Sequence, residues 1–216
     1  MEHGPPTAQM RPDSAALTPP ESLSIALKEW AVVIRALREG RQILLLRKGG
    51  IREESGEFEV QAREVLLSPT YEHQTEQAGM LQPCYGAWLQ EEQRRRPPDD
   101  QIRFDAWARI TEIVVVRNPR ALYTLKSQHI FDDALLRFRT EQAPQKPLFA
   151  LFLRTYVLPR PIVVPMEVDY YGCKSWISLT KAVDIPDTRP VLSDRTYGER
   201  VRVTRRLLEE ETSHVV

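Results

Sequence analysis

The chain has 216 residues, 42% hydrophobic and 28% charged, with 30 Lys and Arg set against 30 Asp and Glu. That length suits one folded domain, which buries roughly 70% of its unfolded surface without covalent staples. Two cysteines exclude a disulfide framework, zero net charge argues against bulk polyanion binding, and no apolar run approaches the ~18 residues of a membrane span.

Residues 1–20 carry five prolines and few large apolar groups. Such a segment cannot offset its ordering entropy, and it reads as a disordered tail. It lacks the basic start and apolar core of a secretory signal, so a cytoplasmic protein is expected. Glu21 and Ser22 then open a predicted helix, with Ala26, Trp30, Val33 and Leu37 at helical spacing and Gly40 as the stop. A strand over Ala31–Ala36 is the alternative, because Val and Ile cluster there. Gln42–Arg47 reads as a buried strand, turned by Gly49–Gly50. Glu57–Gln61 alternates as a half-buried strand, and Val65–Leu67 continues as another into Pro69. Residues 73–96 look mostly helical, and Glu91–Asp105 is a charged, proline-containing loop. Trp107–Val116 is the clearest strand, with two largely covered faces. A short helix follows Asn118–Pro119, and another spans His129–Arg139. Pro147–Leu158 is apolar on both sides, as a central strand would be. Ile162–Val164 and Ser175–Leu179 are shorter strands. Thr196–Glu211 reads as a basic helix.

The irregular order of strands and helices predicts a single α+β domain over 21–190, with a mixed or barrel-like sheet and flanking helices. Residues 191–216 form the basic C-terminal helix or tail.

Several chemistries can be weighed residue by residue. The stretch Arg47, Lys48, Gly49, Gly50 and Arg52 is a candidate phosphate contact, because glycines let amides approach an anion and the cations add field. It lacks the GxxxxGK[ST] spacing, so a simple hairpin turn is the plainer alternative. His73, Cys84, His129 and Cys173 have no metal-ligand spacing, and neither metal nor cofactor is expected. Cys173 beside Lys174 is a candidate thiol, against the commoner role of a buried structural cysteine. A restriction-type nuclease needs an acid two residues before a lysine. The residues so placed are Ala26, Leu46, Thr124, Pro144, Gly172 and Leu179, none of them acidic. Tyr71, Glu72, His73 and Gln74 form the densest polar cluster, readable as a ligand pocket, an acid–base pair or a helix cap. Tyr171, Cys173 and Lys174 join the same pocket set, since loops carry function more often than cores do. Trp30, Trp107 and Trp176 sit in apolar segments and read as core. The C-terminal arginines are explained by a solvated helix face or by a nucleic-acid contact.

Taken in order, ALKEWAVVIRAL, GRQILLLRKGGI, LLSPTYEHQ and YYGCKSWISL resemble a bacterial family, domain of unknown function 1802, from about Ala26 to Leu179. The resemblance implies an association with restriction–modification systems. A second likeness lies in the AL-x-x-G-x-Q segment and the strand ending Arg47–Lys48. Its layout is similar to the PUA-like barrels of the ASCH and EVE type, α+β domains that bind RNA or modified bases. Their Gly-Lys motif stands here as Gly40–Arg41–Gln42, and no catalytic residue is carried over. Three readings follow. One is a non-catalytic module for DNA, RNA or a modified nucleotide. Another is a structural subunit that binds a partner protein. The last is an enzyme on nucleotides using Glu72 and His73, or Cys173.

Overall fold

The computed structural model describes residues 18–48, 61–72, 78–141, 144–172 and 174–209. The chain folds as one α+β domain around a mixed sheet. Its strands are β1 (Ser22–Trp30), β2 (Leu44–Lys48), β3 (Glu64–Thr70), β4 (Gln101–Val115), β5 (Leu148–Pro165), β6 (Trp176–Asp184) and β7 (Arg189–Pro190). Their order is β2-β5-β4-β3-β1-β6, with β7 paired to β5. β1 and β3 run parallel and the other pairs antiparallel. Among the described residues β2 and β6 stay unjoined, so the sheet is open rather than the closed barrel that was one expectation. The helices are α1 (Ala31–Arg38), α2 (Gly86–Arg94), α3 (Ala121–Thr124), α4 (Asp133–Glu141) and α5 (Asp194–Glu209).

Both faces of the sheet are buried, and each feeds its own core. Leu27, Val65, Leu67, Ala106 and Ala108 enter the main core beneath the helices. Their strand neighbours Ala26, Leu66 and Trp107 enter a second core with Phe104, Tyr156 and Ile177. That division follows from the two-residue period of a strand. In the second core Trp107 stacks on Tyr156 with ring centroids 4.0 Å apart, and its indole N–H donates to Thr188 Oγ1 at 3.0 Å. The stack satisfies both the ring and the polar handle of a buried Trp. β4 and β5 shift register between Phe104 and Ala106, where Ile162 is followed by Val157 as partner. The extra β5 residues include Pro159 and Pro161, which cannot donate to a ladder. A bulge there bends the pair over the second core.

The first element corrects the sequence expectation. Ser22–Trp30 is a strand, and the helix begins only at Ala31. Ala26, Trp30, Val33 and Leu37 do fall at helical spacing, but β1 is covered on both faces, so its own alternation is masked. The alternative strand over Ala31–Ala36 is also overturned. α1 buries Ala31, Val32, Val33, Ile34, Ala36 and Leu37 and turns Arg35 and Arg38 outward. Gly40 ends it at φ 65°, where a Cβ would lie 2.8 Å from Leu192 Cδ2. The predicted loop over Glu91–Asp105 holds at its middle, 95–100, while its ends are the end of α2 and the start of β4. Ile102 and Phe104 are buried there between outward charged residues. Ile162–Val164 is the far half of β5 rather than a separate strand. Of the strand expected at Glu57–Gln61 only Gln61 is described, as a bend, and the rest of it lies outside the described residues, as does the tail at 1–17. α5 packs Tyr197, Val201 and Leu208 into the main core, and Arg200 donates to the carbonyls of Gly40 and Arg41 at 2.5 and 3.0 Å.

Candidate functional site

The parallel register places Lys28 opposite Ser68, one step beyond Ala26 opposite Leu66. Residues two apart on a strand share a face, so the apolar face of the second core turns polar at this row. A cleft of about 270 Å³ opens there. Its floor holds Lys28 and Ser68, and Pro69 to Glu72 continue it. One wall is Arg96 to Asp99 with Gln101 and Arg103, and the other is Met166 with Tyr170 and Tyr171.

The Lys28 ammonium donates to the carbonyl of Tyr170 and, at 3.1 Å, to that of Gly172. Gly172 has φ 88°, a conformation that glycine adopts freely. The Tyr170 hydroxyl accepts from the Thr180 amide at 2.8 Å. These contacts pin the 168–172 turn to the sheet. The Tyr171 ring, 52% exposed, reaches across the cleft, and its hydroxyl donates to the Asp99 carbonyl at 3.3 Å. Arg96 pairs with Asp99 and lies 5.8 Å over the Tyr71 ring. Arg103 donates to the Asp105 carboxylate at 3.0 and 3.1 Å, and Arg38 reaches its other oxygen at 3.5 Å.

Burial first, then the carboxylates of Glu92 and Asp105, push the Tyr71 phenol up to about 12, against the opposing pull of Arg103 and Arg96. Tyr71 is therefore a stacking surface and a donor, never a base at neutral pH. Behind it, burial raises the Glu92 carboxyl, while Arg35 at 3.6 Å pulls the other way.

Of the predicted pocket residues, Tyr71, Glu72 and Tyr171 line this one cleft. Lys174 lies two residues beyond the pinned turn and donates to the Asp169 carbonyl at 3.1 Å. His73, Gln74 and Cys173 lie outside the described residues, as do Gly49, Gly50 and Arg52. Arg47 is placed elsewhere than a solvent-facing phosphate contact would need. It is buried, pairs with Glu29 at 2.9 Å and donates to the Lys28 carbonyl at 2.8 Å. Lys48 points toward the Thr140 carbonyl at 3.5 Å, and burial lowers its pKa. His129 is a core histidine. Its Nε2 donates to the Leu122 carbonyl at 2.9 Å, and its Nδ1 accepts from the Phe131 amide at 3.2 Å. Among the described residues no group of three His, Cys, Asp or Glu could hold a metal ion, and no helix is long and apolar enough to cross a membrane.

Sequence reasoning missed Lys28, Ser68, Arg96, Gln101 and Arg103 as cleft residues. For Lys28 and Ser68 a signal was present, since each is a polar residue two positions beyond a buried apolar one on the same strand face.

The fold and cleft define an α+β domain with a polar opening where one face of a two-sided sheet turns from apolar to polar. The chain belongs to the family described as a domain of unknown function, DUF1802, whose model matches residues 26–203. Among solved structures it is similar to ASCH from Zymomonas mobilis, at 14% identity and a TM-score of 0.41, over 73% of this chain and 87% of that one. Two single-residue mutants of that protein give TM-scores of 0.41 and 0.40 at 13% and 15% identity. Each covers 73% of this chain, and 88% and 90% of its own. No curated protein matches the chain.

Proposed function

We propose that the cleft binds single-stranded nucleic acid or a nucleotide without catalysing a reaction on it. The observation that carries this reading is the convergence of Tyr71 and Tyr171 with Lys28, Arg96 and Arg103 around one opening. Aromatic faces that stack bases beside cations that meet phosphate are the working parts of single-strand binding. The zero net charge of the chain makes such a patch local, so affinity comes from a few contacts rather than from a broad field. Tyr71, held protonated, offers a surface and a donor rather than a general base. Arg47 serves this cleft from behind, by holding the Lys28 carbonyl. The implied setting in restriction–modification systems agrees with a nucleic-acid ligand and forms part of the proposal.

Fluorescence anisotropy with labelled single- and double-stranded DNA and RNA across a salt series tests it. Single strands bind, the affinity falls as salt rises, and Arg96→Ala and Tyr171→Ala each weaken it. No binding at low salt, or binding that both variants leave unchanged, overturns the reading.

A further inference from the structure

Granting a nucleic-acid ligand in this cleft, we infer that it reads the polar edge of one unpaired base, through the Ser68 hydroxyl on its floor and the Gln101 side-chain amide on the adjoining wall. Ser68 is 2% exposed yet lines the cleft, and its hydroxyl bonds to no described residue. The residue is buried while its hydroxyl meets solvent through the opening, so a ligand that replaces that water gains a bond whose direction the fold already fixes. It stands on β3, inside a ladder that fixes its direction to within a rotamer. Gln101, at the first position of β4, is half-buried against the same cleft, and its side-chain carboxamide also bonds to no described residue.

The chemistry of this pair suits a base better than a phosphate. A hydroxyl and a carboxamide each offer a donor and an acceptor, which is what the edge of a nucleobase presents. The one cation on the floor, Lys28, already donates to the carbonyls of Tyr170 and Gly172. Arg96 and Arg103 stand on the wall instead, where a backbone would pass. The opening of about 270 Å³ falls just below the roughly 300 Å³ of the smallest drug-sized pockets. That size suits a single base.

Competition against a labelled single-stranded oligonucleotide on the full chain decides the matter. The competitors are the four free nucleosides and, separately, ribose 5-phosphate and inorganic phosphate. At least one nucleoside displaces the oligonucleotide at concentrations where the phosphates do not. Ser68→Ala and Gln101→Ala each weaken that displacement by roughly three- to tenfold, the effect of one neutral hydrogen bond. Both variants keep the thermal midpoint of the wild type, since neither side chain bonds to the described protein. Ribose 5-phosphate competing as well as the nucleosides overturns the inference while the nucleic-acid reading stands. So do two variants that leave nucleoside competition unchanged. An absence of oligonucleotide binding overturns the parent reading, and the inference with it.

Discussion

Lys28 and Glu29 are neighbours on β1, and they serve opposite sides of the sheet. Lys28 turns into the cleft, and its ammonium is met by backbone carbonyls at a solvent-reachable floor. Glu29 turns the other way and forms a buried ion pair with Arg47, each less than a tenth exposed. The difference is one of consequence. Two charges out of water depend on one another for their stability, whereas cleft cations can lose a partner and be rehydrated. One strand thus carries a dry ion pair on one face and a solvent-reachable cation on the other.

The contrast can be broken most strongly at Arg47. Arg47→Ala leaves the Glu29 carboxylate buried without its partner, and urea denaturation shows a loss of about 3–5 kcal/mol. Replacing both residues by apolar ones, Glu29→Leu with Arg47→Met, recovers most of it. A loss below about 1 kcal/mol for the single variant refutes the assignment of Arg47 to the scaffold.

Gly40→Ala comes next. It forces a Cβ into the left-handed region and to within 2.8 Å of Leu192 Cδ2, and thermal denaturation shows a loss of about 1–3 kcal/mol. Leu192→Ala in the same chain relieves the contact part and leaves the backbone part. A Gly40→Ala variant as stable as the wild type removes that constraint.

A smaller effect belongs to His129. Burial lowers its pKa from the ordinary 6.5. The unfolded chain therefore takes up this proton more readily than the folded one. The stabilisation is full above pH ~6.5 and declines as pH falls from there toward the depressed folded value. Thermal midpoints fall more steeply over that window in the wild type than in His129→Gln, and identical slopes contradict it.

The smallest stability changes fall on the cleft. Arg96→Ala and Tyr171→Ala alter unfolding free energy by no more than about 0.5 kcal/mol, while oligonucleotide affinity drops. Variants that lose stability and affinity together would erase the distinction between scaffold and cleft.

The sequence showed the middle of the fold better than its edges. β4 and β5 were legible because long β-branched and aromatic runs have few other uses. β1 was misread because a strand buried on both faces shows no period of two, and its chance spacing matched a helix. The start of β4 was hidden by its charges, although Ile102 and Phe104 carried the alternation. At the cleft, Tyr71, Glu72 and Tyr171 were found because loop aromatics and acids are conspicuous. Ser68 and Lys28 were missed because their meaning depends on the parallel pairing of β1 with β3, which brings together segments far apart in the chain. Arg47 was assigned to phosphate on its charge and the paired glycines after it, and only the fold supplies its partner, Glu29.

The place of β1 in the sheet bears on how the chain can be made. β1 lies between β3 and β6, so a strand made early is completed on one side by one made about 150 residues later. Neither neighbour is local, and pairing of that kind forms slowly. During synthesis the Leu23–Leu27 stretch waits with an open edge until Trp176–Asp184 emerges. The nascent chain is therefore most vulnerable to wrong strand partners in that interval, and a chaperone that shields extended apolar segments has its clearest task there.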